Sequence, residues 1–403
     1  MEPGPAELVL VSSGPGELSN WAVPMAHAAL AWAARREVPL ALSLILPPCQ
    51  FASGQEIAFA QRQEVFARIL GPRACLGLVA GLTRVSVAAS GCVLHLGGDL
   101  WYSATLGHRL GYSAFAYAET PLVRKRAHRF ERVFLPTQAL AHRLIDDGVP
   151  AGRLAVVGDL RVDHLATART RAGDRRRGSR VALLPGSRRW LVEGVLPIFL
   201  EAATAMRRHR PEIEFSLVLS PFLPRDMLAQ ILAPHQAALA ALGVDAIQED
   251  RLAAMAHSDL AITLPGTNTV ELAILGVPML VAVPLHRPDR IRMEGMPEWF
   301  GRIPVLGPAI KGMIARRLIQ NPKLLAWPNR EAGRSIVPEL IGVITAEDIA
   351  RRALALLDDP RGLEQMARDL RGLYVTPRGV AQRILDTMAP YLHAAGGRTA
   401  RAE

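Results

Sequence analysis

The chain has 403 residues, half of them hydrophobic, a mean hydropathy of +0.17 and a formal net charge of +10. That length predicts two domains with substantial cores, while three cysteines without paired spacing, Cys49, Cys75 and Cys92, argue against a disulfide framework or zinc site. No apolar run reaches the roughly 18 residues of a membrane span, and no basic segment precedes the short run Leu8–Val11, so a cytoplasmic protein with at most peripheral membrane contact is expected.

In chain order, Leu8-Val-Leu-Val11 reads as a buried strand, Ser12-Ser-Gly-Pro-Gly-Glu17 as a glycine-rich turn, and 21–34 as a helix. Strands are expected at 40–46, 93–96, 114–117, 132–135 and 154–157. A helix is expected over 55–70, with Ile57, Phe59, Val65, Phe66 and Ile69 on its inner face. Alternating β and α elements imply a mostly parallel sheet with helices on both faces. Residues 166–180 break the pattern, being rich in arginine and free of apolar periodicity, and are expected to be a linker. No nucleic-acid module accompanies this basic run, so no nucleic-acid partner is expected. The chain has only three lysines, Lys125, Lys311 and Lys323, so arginine carries the positive charge; a basic surface favours anionic partners.

A second β/α series follows: a strand at 181–184, a helix from about 192, a strand at 214–219, a helix across 225–241 and a strand at 244–247. Two turns in this half carry the chemistry. Val181-Ala-Leu-Leu-Pro-Gly-Ser-Arg188 runs a strand into a turn where Gly186 permits close backbone approach, Ser187 follows, and Arg188 offers a planar fork suited to phosphate. Asp259–Leu264 then enters Pro265-Gly266-Thr267-Asn268 and the helix Val270–Leu275, with Val277–Val283 as the next strand. Backbone N–H groups of Gly266, Thr267 and Asn268 would favour an anion there, and Glu271, one turn on, could accept sugar hydroxyls. A competing reading makes Asn268 an N-cap and Glu271 its capping-box partner, binding nothing. Helices near 346–357, 361–373 and 378–393 close the chain.

Segment 286–319 interleaves Met293, Met296, Trp299 and Phe300 with Arg287, Arg290, Arg292 and Arg302, and adds Arg316 and Arg317. Apolar side chains flanked by cations suit contact with acyl chains and anionic headgroups, although a helix packed on its own core gives a similar pattern.

These motifs together resemble the lipid-A-disaccharide synthase family. Leu183-Leu-Pro-Gly-Ser-Arg188, Met255-Ala-His-Ser-Asp-Leu-Ala261, Gly266-Thr267 with Val270-Glu271-Leu272, Arg316-Arg-Leu-Ile319, Pro328-Asn329, Gly333-Arg334 and Glu339-Leu340 follow that family's order over about 180–357. The N-terminal half is more divergent. Gly16-Glu17-Leu-Ser19 resembles a family turn, but Asn20 and Trp21 stand where the family has Gly-Asp. Gly97-Gly98-Asp99 resembles its strand-end Gly-x-Asp, and Ala118–Arg126 replaces its Ser-Pro-x-x-Trp-Ala-Trp stretch.

The resemblance implies an α/β fold of two Rossmann-like domains facing a cleft (GT-B) with C-terminal helices. The expected division is an acceptor domain at 1–165, the linker 166–180, a UDP-sugar domain at 181–375, and a helix and tail at 376–403 returning to the first domain. It implies an inverting transferase moving an acylated glucosamine-type sugar from UDP to a lipid-linked sugar, on the cytoplasmic face of the inner membrane, with a homodimer conceivable. Gly186, Ser187, Arg188, Gly266, Thr267, Asn268, Glu271 and Asn329 would hold the donor. Met296, Trp299, Phe300, Arg316 and Arg317 would meet lipid. The sequence has no Asp-x-Asp, so no metal or other cofactor is expected. Asp99 is the leading candidate for the base, with Glu17 and Glu119 as alternatives and Asp99 as a helix cap the competing role; His95 reads as a packed histidine. Other functions that fit the same features are a transferase acting on a polyprenyl-linked precursor, a UDP-sugar 2-epimerase, and a non-catalytic binding protein.

Overall fold

The computed structural model describes residues 4–50, 52–171, 180–284 and 324–393. They form two compact units, one of Met1–His164 with Thr376–Glu403 and one of Leu165–Val375.

The first unit is built on seven parallel strands: β1 Ala6–Val11, β2 Leu40–Ile45, β3 Arg68–Leu70, β4 Gly91–His95, β5 Ser113–Tyr117, β6 Arg132–Leu135 and β7 Leu154–Val156. Their spatial order is β3-β2-β1-β4-β5-β6-β7, so the chain winds outward from β1 and reverses direction between β1 and β4. All six residues of β1 are buried, as a central strand covered on both faces must be. Val9, Val11, Val93, Ala114, Ala116 and Val133 build one face of the core. The C-terminal helix Val380–His393 packs on β1, β4 and the helix Val23–Arg35, where Trp32 Nε1 donates to Asp386 Oδ1 at 2.9 Å.

The second unit repeats the plan with β8 Arg180–Leu184, β9 Glu214–Val218, β10 Ala246–Ile247, β11 Leu260–Thr263, β12 Met279–Pro284 and β13 Glu339–Gly342. The order is β10-β9-β8-β11-β12-β13, again all parallel, with the reversal between β8 and β11. Leu183, Leu217, Ile262 and Leu280 pack under the 21-residue helix Arg189–His209 through Leu196, Phe199 and Met206. Among the described residues, no helix is long and apolar enough to cross a membrane.

Several elements differ from expectation. The helix expected over 55–70 covers only Glu56–Gln61, because Glu64 adopts a positive φ of 54° and Arg68–Leu70 pairs with β2 instead. The expected linker 166–180 begins as helix, since Arg161–Arg171 is continuous and Leu165 and Ala168 are buried in the second unit's core. The helix expected across 225–241 is broken by a 3-10 turn at Ala233–His235, where Pro234 cannot donate a helical hydrogen bond. A π turn at Leu18–Ala22 sits inside the first helix, Val23 donating five residues back to Leu18. Pro24 explains it: the wider turn relieves the clash between its ring and the carbonyl four residues earlier.

Candidate functional site

In an open parallel sheet, ligands bind beyond the carboxyl ends of the strands where the winding reverses. In each unit, the chain places paired glycine turns at that point.

In the second unit, Leu184 of β8 and Thr263 of β11 are register partners. Pro185–Arg188 and Pro265-Gly266 therefore leave the sheet side by side and lead into the helices Arg189–His209 and Thr267–Leu275. Gly186 has φ +115°, and a Cβ there would lie 3.1 Å from Leu191 Cβ and 3.4 Å from Leu264 Cδ1, so the position requires glycine. The N-cap residues are Arg188 and Gly266, and neither caps its helix with a side chain. Two helix N-termini thus present first-turn N–H groups at neighbouring strand ends, the arrangement a diphosphate needs. Ser187 is exposed and Arg188 half-buried at this edge.

The structure shows how Asn268, Glu271 and Asn329 are held. Asn268 lies inside the helix that Gly266 begins, so the capping-box reading does not hold. Glu271 is 2% exposed, and both its oxygens take hydrogen bonds from Arg251, at 2.6 and 2.8 Å. The pair raises the proton affinity of Arg251, burial opposing it. Asn329, fully buried, uses its whole amide internally. It donates to Val337 O and Glu339 Oε1 and accepts from Ile336 N and Val337 N, pinning the approach to β13. That saturation leaves its side chain no free valence for a ligand. Met296, Trp299, Phe300, Arg316 and Arg317 lie outside the described residues.

In the first unit, the turn after β1 meets the turn after β4. Ser12 Oγ donates to Leu96 O at 3.2 Å. Gly97 and Gly98 have φ of +120° and +91°; a Cβ on Gly97 would strike Glu17 Cγ at 2.6 Å, and one on Gly98 would strike Ser13 Oγ at 2.6 Å. Only glycines let these turns close, and their closure sets Glu17 beside the Gly97–Asp99 loop. Burial raises the Glu17 carboxyl above the usual range, its own backbone N–H partly offsetting this. Asp99 is 62% exposed, caps the helix Leu100–Leu110 by accepting from Trp101 N at 2.8 Å, and has Arg126 Nε at 3.8 Å. The carboxylate thus caps its helix and stays open to solvent.

Glu119, at the end of β5, is engaged by Arg161 Nη2 at 2.5 Å, which also binds Asp159 at 2.7 Å. Arg161 in turn lies 5.9 Å from the Trp21 ring centre, and Trp21 meets Tyr117 edge-on at 5.5 Å. Sequence reasoning named Glu119 but missed Arg161, Asp159 and Arg251, whose partners lie 42, 2 and 20 residues away.

His95 is packed, as expected: it is 4% exposed, with Nδ1 2.7 Å from Ser103 Oγ. Burial lowers its pKa from 6.5 to about 4, against a smaller raising effect of Asp99. Below pH 6.5 the unfolded chain takes up a proton that folded His95 refuses. Stability should therefore fall as the pH drops from about 6.5 to 4, by up to about 1.4 kcal/mol per pH unit from this residue. Urea midpoints across that window should show a flatter slope in His95→Gln than in the parent chain.

The family model for lipid-A-disaccharide synthetase matches residues 166–288, the stretch that holds Pro185–Arg188 and Pro265–Thr267. The lipid-A-disaccharide synthase of Geobacter sulfurreducens is 29% identical over 241 residues, covering 59% of this chain and 52% of that protein. That of Thiobacillus denitrificans is 27% identical over 307 residues, covering 71% and 73%. The chain spans about half the length of the first curated relatives it matches, at 52%, 41% and 47%. Among solved structures, the UDP-GlcNAc 2-epimerase of Neisseria meningitidis aligns with a TM-score of 0.55 at 13% identity, over 95% of this chain and all of that one. MurG of Acinetobacter baumannii aligns with a TM-score of 0.50 at 13% identity, over 96% and 100%. The chain carries the paired Rossmann-like domains of the GT-B fold and is similar to lipid-A-disaccharide synthases, that family's model matching it over 166–288.

Proposed function

We propose that the chain is a glycosyltransferase of the lipid-A-disaccharide synthase type. It takes a glucosamine-type sugar, acylated as in that family, from a UDP donor and places it on a lipid-linked sugar with inversion. The observation that carries this reading is the pair of helix N-termini at the β8/β11 reversal, within the residues the family model matches. UDP would sit there, its diphosphate facing Gly186, Ser187, Arg188, Gly266, Thr267 and Asn268. The helix termini and Arg188 stabilise the charge that builds up as UDP departs, without a metal ion. Asp99, at the reversal of the first sheet, takes the proton from the acceptor hydroxyl. The acceptor's acyl chains would keep the protein on the cytoplasmic face of the inner membrane as a peripheral protein.

Calorimetric titration with UDP in excess EDTA tests the donor side. Binding should persist under chelation, and Arg188→Ala should weaken it by about 1.5–3 kcal/mol, the range for a hydrogen bond to a charged group. Binding that vanishes with EDTA would overturn the metal-free assignment.

A further inference from the structure

The segment that departs most from the family pattern, 118–126, opens a stretch with a distinct surface. Thr120–Phe130 carries Arg124, Lys125, Arg126, His128 and Arg129 and has no acidic residue. It folds as two 3-10 turns, Pro121–Lys125 and Ala127–Arg129. Val123, Ala127 and Phe130 are 0%, 3% and 1% exposed and anchor its underside in the core of the first unit. The inward spacing of four and three residues leaves Leu122, Arg124, Lys125, His128 and Arg129 pointing outward.

Leu122 is 66% exposed, and nothing in the fold explains a leucine there. Two ion pairs tie the stretch to its neighbours. Arg124 lies 3.5 Å from Asp147, beside Ile145, which is 41% exposed; Arg126 lies 3.8 Å from Asp99, beside Trp101, which is 40% exposed. Among the described residues, no ion pair engages Lys125, His128 or Arg129. The surface is thus a cationic ridge with large apolar side chains at its crest and flanks.

We infer that this ridge docks the first unit on an anionic bilayer, Leu122 and Trp101 entering the headgroup–acyl boundary and Lys125 and Arg129 pairing with lipid phosphates. Charge complementarity selects this occupant. Lys125 and Arg129, alongside the ion-paired Arg124 and Arg126 and beside exposed apolar side chains, match an anionic lipid surface, whose attraction adds up per cation. Its consequence is positional, since Arg126 links the ridge to Asp99 and docking brings the candidate base to headgroup depth. In that purpose the inference rests on the proposed lipid-linked acceptor; the binding itself needs no turnover.

Sedimentation of the full chain with vesicles of phosphatidylcholine, alone or mixed with phosphatidylglycerol, tests it. The parent chain should partition onto the mixed vesicles and weaken as salt rises. Lys125→Ala and Arg129→Ala should each lower the partition coefficient about fivefold, and Leu122→Ser about tenfold more. All three positions are surface positions, so melting temperature and calorimetric UDP affinity should stay at parent values and separate docking from folding and from donor binding. A triple variant that sediments like the parent would overturn the inference while leaving the transferase reading intact, and so would a parent chain retained by single-stranded RNA but not by anionic vesicles. UDP release with a detergent-dispersed acceptor judges the transferase reading separately.

Discussion

Asp99→Asn should cut turnover by roughly 10²–10⁴-fold, the usual contribution of a positioned general base. Asparagine is as good an N-cap as aspartate, so the helix Leu100–Leu110 keeps its start and only the proton-accepting charge is lost. The 3.8 Å pair with Arg126 is exposed at both ends and contributes little to stability, so the melting temperature should move by no more than a few degrees. UDP affinity should be unchanged, because the donor-side turns belong to the other unit. Near-normal turnover in this variant would move the base elsewhere. Glu17, half-buried beside Gly97 with a raised proton affinity, is then the next candidate, ahead of Glu119, whose carboxylate Arg161 already engages.

The second large effect concerns stability. Arg251→Ala should destabilise the second unit by about 3–5 kcal/mol, because it strands the buried Glu271 carboxylate without its partner. Urea unfolding of the full chain checks this, with the loss confined to the transition of that unit. Replacing both partners with apolar residues, Arg251→Met with Glu271→Leu, should recover most of the loss, since neither charge is then buried. The double variant also isolates Glu271's second role. A refolded second unit that binds UDP like the parent would make the pair purely structural; weakened UDP binding would assign Glu271 to the ribose or sugar hydroxyls.

Much of this arrangement is written locally. Leu8–Val11 and Val181–Leu184 are short apolar runs ending in glycine turns, and a strand buried on both faces can have no other texture. Pro185–Arg188 and Pro265–Thr267 follow the same rule, so their place at strand ends of one sheet was legible; that the winding reverses there, and that Gly97–Asp99 meets the turn after β1, was not. What was not legible depends on distant pairing. Arg251 is one arginine in a chain crowded with them, and no periodicity marks it as the residue that meets Glu271 twenty positions later. Asn329 was expected at the donor only through the resemblance of Pro328-Asn329 to the family motif; its four hydrogen bonds to 336–339 exist only once β13 forms. Phe66 and Ile69 fitted a helical face, and the left-handed Glu64 that ends the preceding turn carries no local signal such as glycine or asparagine.

The central claim is sugar transfer from UDP to a lipid-linked acceptor, and UDP release measured with and without that acceptor tests it most directly. The account predicts UDP formation only when a vesicle-borne acylated sugar is present, matched by an equal amount of new glycoside. A donor sugar converted to its epimer without a glycoside, or UDP bound tightly with no release under either condition, would contradict it.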